Sequence, residues 1–369
     1  MRLGQQPPLG CALAQGCARS AGRGGAVGLL LALGVCAAAP DTNAEGFHFE
    51  HKDWELACDN TGTCRAAGYH ADEADLQVSV LLTRSAGPGT TATASVMLGD
   101  YQQHPEVTKL PASATLTMWI HGRSLGPVRL EGGSLTGHLS PAQTQALIAA
   151  LPRASSQIAW RHGRTEWVLS DRGAKAVLLK MDEAQGRLGT VGAWVARGER
   201  DERQVPGPRQ APRVTAAALP PTTDADRIWP QRQGPALLAA LRANVKATEA
   251  NCDRLLDQTP DEWSVTRLTA HRLLVSTPCW LAAYNFGSGA WVVQDRPPYQ
   301  ATLVTDSASD ASDGEITASH KGRGLGDCWS SESWVWDGQR FVRTGAHSTG
   351  QCKFITAGGA WQLPTWVTR

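Results

Sequence analysis

Hydrophobic and polar positions alternate over much of the chain. Leu76, Val78, Val80 and Leu82 alternate with polar or small residues. Leu116, Met118 and Ile120 do the same, as do Val177, Leu179 and Met181. Period two of this kind predicts half-buried strands, and Gly/Pro clusters such as Ser85-Ala-Gly-Pro-Gly-Thr punctuate them. One helix is expected at 140–151, with Ser140 as N-cap, Pro141 in the first turn and Gln143 completing a capping box. The region 45–198 therefore reads as a β-rich domain with one helix.

Residues 199–234 break the pattern. Mixed charges give way to Pro206, Pro208, Pro212, Pro220, Pro221 and Pro230 without apolar periodicity, which predicts an extended, semi-rigid linker. A second domain is expected over 235–369. Leu238, Leu241, Val245, Thr248, Cys252 and Leu255 follow helical spacing, which places Cys252 on the inward face of a helix. A β-meander follows through Leu273–Ser276, Trp291–Gln294, Ala301–Val304 and Trp334–Val342, where Asp337-Gly338 marks a hairpin. The blocks 306–315 and 319–326 read as polar loops. The expected fold is mainly β with a few helices, in two β-rich domains stapled by disulfides.

The N-terminus changes the compartment. Arg19 and Arg23 precede an apolar run at 26–39 that ends in Ala37-Ala38-Ala39, the order of a secretory signal peptide. The run is shorter than the roughly 20 apolar residues of a spanning helix. A soluble periplasmic protein is expected, ahead of lipid anchoring at Cys36. Loss of 1–39 removes Arg2, Arg19 and Arg23 and no acid, so the mature chain is mildly acidic. Basic runs that would grip nucleic acid are absent.

Three of the nine cysteines leave with the leader, and Cys58, Cys64, Cys252, Cys279, Cys328 and Cys352 remain. An even set in an exported chain reads as disulfides, with fifteen connectivities open in principle. Pairing of nearest neighbours in sequence is the expectation: Cys58–Cys64 across a turn, Cys252–Cys279 from helix to strand, Cys328–Cys352 around the Asp337-Gly338 hairpin.

Candidate chemistry is thin. Gly122-Arg-Ser-Leu-Gly126 matches the nucleophile-elbow pattern, but strand-like sequence follows it, so Ser124 is read as a turn residue rather than a catalytic one. The cysteines lack the paired spacing of zinc sites. Asp306, Asp310, Asp313 and Glu315 fail calcium-loop spacing, and His48 and His51 read as an exposed edge strand. Neither a catalytic residue, a metal nor a cofactor is assigned. Fourteen tryptophans stand against four tyrosines and five phenylalanines. Buried, they anchor a thin sheet; exposed, Trp329, Trp334 and Trp336 would suit stacking on sugars.

The stretch Phe47-x6-Trp54-Glu-Leu-Ala-Cys-Asp-Asn-Thr-Gly-Thr-Cys64 resembles the DUF1176 family. So do Pro278-Cys-Trp-Leu-Ala-Ala-Tyr-Asn285 and Gly326-Asp-Cys-Trp…Trp-Val-Trp-Asp-Gly. The resemblance covers the mature chain and implies an exported envelope protein of Gram-negative bacteria. The first domain is also distantly similar to invasion-associated locus B proteins through Trp54, Cys58, Cys64 and Leu110-Pro-Ala. The reading that follows is a non-enzymatic binding or structural module, with an envelope protein or glycan as partner. The alternative is a hydrolase acting on envelope polysaccharide or peptide.

Overall fold

The described chain opens with strands, among them the stretch where alternation is most regular. In the computed structural model, which describes residues 45–245, 252–256 and 262–369, β1 (Phe47–His51), β2 (Trp54–Cys58), β3 (Cys64–Tyr69), β4 (Val78–Arg84) and β5 (Ala92–Leu98) make an antiparallel meander. The expected leader, 1–39, lies outside the described residues. After the short helix α1 (Pro105–Thr108) come β6 (Thr115–Ile120), β7 (Arg123–Arg129) and β8 (Thr136–His138). Strand β8 joins β5 as the sixth strand of the first sheet. Helix α2 (Pro141–Ala150) carries the expected capping box, with Ser140 N–H donating to Gln143 Oε1 at 2.8 Å. Strands β9 (Ile158–His162) and β10 (Thr165–Leu169) complete a second sheet in the order β10-β9-β6-β7.

The expected strand at 177–181 is instead helix α3 (Ala174–Ala184). Its buried stripe is Ala174, Val177, Leu178 and Met181, at helical spacing, while Leu179 is 39% exposed. The period-two reading picked three residues from a pattern whose other members favoured a helix.

Trp54, Trp160 and Trp167 are fully buried in the core between the two sheets and helix α3. Residue 68 must be glycine here, since a Cβ would lie 2.3 Å from the Trp54 ring. The outer face of the first sheet is covered as well. Ala57, Ala67 and Tyr69 pack on Ile355, Ala360 and Leu363 from the C-terminal end of the chain. That is why all five residues of β2 are buried, Glu55 included.

The spacer carries neither helix nor strand at 207–222 and is fastened to the body. Arg209 N–H donates to Thr61 O, Val214 N–H to Arg369 O and Ala217 N–H to Trp336 O. Its last third is helical, contrary to expectation: α4 (Asp224–Arg227) and α5 (Trp229–Val245) begin before residue 235. A capping box between Thr223 and Asp226 starts the first of them. Gly234, at φ 56°, breaks α5 ahead of Pro235, whose ring then starts the second segment without clashing.

The remainder is a long antiparallel meander. Strands β11 (Ser264–Arg267), β12 (Arg272–Leu281), β13 (Phe286–Gln294) and β14 (Thr302–Ala308) form the third sheet. Strands β15 (Asp310–Ser312), β16 (Glu315–Lys321), β17 (Trp329–Trp336), β18 (Phe341–Ser348) and β19 (Leu363–Val367) form the fourth. Most of the expected polar loop at 306–315 and the start of that at 319–326 are therefore strand. Asp313 and Gly314 both have positive φ and turn a hairpin between β15 and β16. Ile316 and Ala318 face the core between polar neighbours.

All three disulfides join nearest neighbours, with Cα–Cα distances of 4.0 Å for Cys58–Cys64, 4.1 Å for Cys252–Cys279 and 4.8 Å for Cys328–Cys352. Cys252 is buried as expected but not on a helix face. It takes a left-handed conformation, φ 49°, ahead of a single 3-10 turn at Asp253–Leu255. Thr248, expected on the same face, lies outside the described residues. Among the described residues no helix is long and apolar enough to cross a membrane.

Candidate functional site

The third and fourth sheets are bent by bulges, and between them opens a trough. In β14, residues 303–308 oppose only 288–291 of β13, so β14 carries extra residues and curls. In β18, Thr344 is the extra residue where Ser333 faces Gly345 and Trp334 faces Arg343. Bulges of this kind sharpen local twist and re-aim side chains.

Three cavities follow one another along the trough. The middle one, about 430 Å³, lies between the β13–β14 wall and the tip of the β17–β18 hairpin. It shares Arg272, Gln294, Gln339 and Arg340 with a shallower one of about 670 Å³. At its other end it shares Trp334 with a third of about 390 Å³. Each falls within the roughly 300–1,000 Å³ usual for ligand sites.

Strand alternation puts Trp334 and Trp336 on one face, as expected, and both line the middle cavity. They differ in access. Trp336 is 1% exposed and packs against Phe341, with ring centroids 5.5 Å apart, so it is floor rather than binding surface. Trp334 is half-buried, and its indole N–H has no hydrogen-bond partner among the described residues. Trp329 does not line the trough. Its Nε1–H donates to Gly326 O at 3.0 Å and its ring lies 5.5 Å from Lys321 Nζ.

The hairpin tip supplies charge. Asp337 Oδ1 accepts the backbone N–H groups of Gln339 and Arg340, both at 2.8 Å, and these bonds hold its carboxyl below the usual range. The Arg340 charge also favours the Asp337 carboxylate, but with Asp337 bonded to the turn the guanidinium makes no side-chain hydrogen bond or close ion pair among the described residues. Arg272 donates to Gln339 O at 2.9 Å and has no acidic partner there. No carboxylate lines the middle or the shallow cavity, whereas Arg272, Arg340 and His271 do.

The opposite end is lined by His48, His320, His347 and Glu332, none of which the sequence marked as belonging together. Three are engaged elsewhere. His48 Nε2 lies 2.8 Å from Glu55, an interaction that raises its pKa against the effect of burial. His320 contacts Phe286 O, and Glu332 pairs with Arg343 at 2.9 Å. Burial holds the His347 pKa below its ordinary value. Beside it, Ser348 Oγ is buried without a partner among the described residues and lines the same cavity.

Other sequence candidates lie apart. Ser124 is exposed on β7 and accepts only Gly126 N–H at 3.4 Å. Asp306, Asp310, Asp313 and Glu315 are strung along β14 to β16. Among the described residues, the one group of three ligand atoms close enough for a metal is Asp327, Cys328 and Cys352, and both sulfurs there are in a disulfide. Asp327 is occupied too. Burial would raise its pKa, but bonds from Arg323 and the Phe354 N–H outweigh that and lower it.

The chain matches the family described as "Protein of unknown function (DUF1176)" over residues 48–368. It belongs to the DUF1176 family. It is 28% identical over 344 residues to the "Uncharacterized protein YpfG" of Escherichia coli (strain K12), which covers 86% of this chain and 92% of that one. No solved structure matches. The motif residues that carry the family resemblance fall mainly on the covalent frame: Cys58, Cys64, Cys279 and Cys328 are all bridged, and Trp54 is core.

Proposed function

We propose that this family member is exported to the periplasm, loses residues 1–39, and acts there as a non-enzymatic binding module for an envelope component seated in the trough. Its three disulfides fit an oxidising compartment. The observation that carries the binding reading is the lining. Trp334 N–H, the Arg340 guanidinium and Ser348 Oγ are polar groups without hydrogen-bond partners among the described residues, spread along connected cavities beside aromatic and amide side chains. Such a surface is built for a ligand with both flat and polar faces.

The test is recovery from a periplasmic extract under native conditions, comparing the wild type with Thr302→Trp, which fills the middle cavity. The mature N-terminus is expected near Pro40. An envelope component retained by the wild type and not by the filled variant supports the reading. Equal retention by both, or recovery of intact 1–39 from the cytoplasm, overturns it.

A second reading, hydrolysis of envelope polysaccharide or peptide, draws on the histidine-lined cavity. It requires His347, neutral near pH 7 through burial, to act as a base on bound substrate. Product release from envelope polymer that disappears in His347→Ala would favour it over binding alone.

A further inference from the structure

The trough is asymmetric. At the hairpin end stand Arg272, Arg340 and His271 with no lining carboxylate, and in the middle stands the half-buried Trp334. Gln294 at the end of β13, Gln300 in the β13–β14 connection and Gln339 from the β17–β18 turn line the same cavity, and Gln294 Nε2–H donates to Gln300 Oε1 at 2.6 Å. Gln339 offers an amide donor and acceptor together, and the bonded pair keeps the Gln294 side-chain carbonyl and the Gln300 side-chain N–H groups for a ligand, a mixture that suits vicinal hydroxyls. An indole face takes the C–H face of a pyranose ring, and a free guanidinium takes a carboxylate through two parallel bonds.

We propose that the trough binds an acidic oligosaccharide, with a uronate-type carboxylate at Arg340 and Arg272 and a neighbouring sugar ring laid on Trp334. The inference rests on the binding reading above and narrows it to one ligand chemistry. A neutral chain would leave Arg340 unpaired. A lipid tail would bury Gln339 and the unbonded amide groups of Gln294 and Gln300 against hydrocarbon, leaving them without partners. The edge strand β14, where Asn244 of α5 already accepts the Leu303 N–H, could instead receive a peptide strand beyond that point, and the test separates that case.

Titration calorimetry on the mature protein would use three probes: tetragalacturonate, maltotetraose and tetraglutamate. Tetragalacturonate is expected to bind at least about tenfold more tightly than the other two, with the preference falling as salt rises. Arg340→Gln should weaken the uronate about tenfold and leave maltotetraose unchanged. It should also leave the melting temperature unchanged, because Arg340 makes no internal side-chain bond among the described residues. Trp334→Phe keeps a ring and should retain most binding, whereas Trp334→Ala should lose several-fold for either sugar. Equal affinity for maltotetraose, preference for tetraglutamate, or uronate binding indifferent to both Arg340→Gln and Trp334→Ala would overturn the acidic-sugar proposal. A neutral or peptide probe that binds at least as tightly as tetragalacturonate, and loses that binding in Trp334→Ala, would overturn it while sustaining the binding reading. Failure of all three probes, with equal extract retention by wild type and Thr302→Trp, would overturn both.

Discussion

Lys353 Nζ lies 2.9 Å from Asp53 Oδ1, joining residues 300 positions apart. Asp53 also accepts Ser170 Oγ at 2.6 Å, and both charged side chains are nearly buried, at 11% and 6% exposure. Lys353→Met would leave Asp53 charged and short of a partner, a change expected to cost about 3 kcal/mol in urea unfolding. Burial alone would lower the Lys353 pKa, but Asp72 and Asp53 outweigh it and raise it above the ordinary 10.5. A group raised in the folded state contributes fully below its unfolded pKa and loses that contribution as pH rises through the folded one. The wild type should therefore lose its advantage over Lys353→Met only in strong alkali. Equal stability of the two proteins at pH 7 would refute the clamp.

The Cys328–Cys352 bridge holds the segment that carries Lys353, and its hairpin ends are also joined by Thr349 N–H to Trp329 O at 2.8 Å. By the chain-entropy model a loop of this length contributes about 3 kcal/mol. The Cys328→Ser/Cys352→Ser pair should melt earlier. It should also open the outer face of the first sheet, where Tyr69 and Ala67 lie under Ile355 and Leu363. Amide exchange in β2 and β3 should quicken in the double variant. An effect confined to β17 and β18 would show that the cap holds without the bridge.

Much of this frame was legible because its determinants are local. Ser140 and Gln143 cap a helix wherever they stand three apart, and Asp337-Gly338 turns a hairpin by its own φ preferences. Asp313-Gly314 carries the equivalent signal, but the polar residues that flank it also suit a solvated loop. Val177, Leu179 and Met181 satisfied period two only because Leu178, a buried neighbour, was left out. Glu55 could not have been placed from its strand at all. It is buried because residues nearly 300 positions away cover the outer face, as the 2.7 Å bond from Gln351 N–H records. The trough is of the same kind. Arg272, Arg340, His320 and His347 meet through bulges and sheet curvature, which carry no short motif.

The proposed modules, 45–198 and 235–369, meet a further test at the spacer. Residues 207–222 lack regular structure, yet Arg209, Val214 and Ala217 are hydrogen-bonded to the body, and Leu219 packs against the core that Leu274, Ile316 and Trp336 share. Engineered cleavage within 220–222 is therefore expected to leave the two pieces associated through the Ile355, Ala360 and Leu363 contacts. They should co-elute on gel filtration at neutral pH and separate only in denaturant. Spontaneous separation after cleavage in native buffer would mean that the cap is too weak to hold two independent modules together.

Asp226 provides an acid-limb test in the second half of the chain. Its Oδ1 accepts the Arg267 guanidinium, and its Oδ2 accepts Thr223 N–H at 2.9 Å and Thr223 Oγ1 at 2.8 Å. The Arg267 bond is the main reason its pKa falls from 3.8 to about 2, against the opposing effect of burial. A carboxyl depressed in the folded state stabilises above its unfolded pKa and loses that contribution as pH falls through the folded one. Between pH 4 and pH 2 the wild type should therefore lose stability that Asp226→Asn does not have to lose. At pH 7 the variant should be weaker by about 2 kcal/mol, the scale of hydrogen bonds to a charged group. The gap should close toward pH 2, where Asp226 takes up its proton in the wild type as well. Melting curves of both proteins across this range decide the point. Parallel acid limbs would show that Asp226 carries its proton alike in the folded and unfolded chain, and that the Arg267 contact contributes nothing to holding α4 against β11.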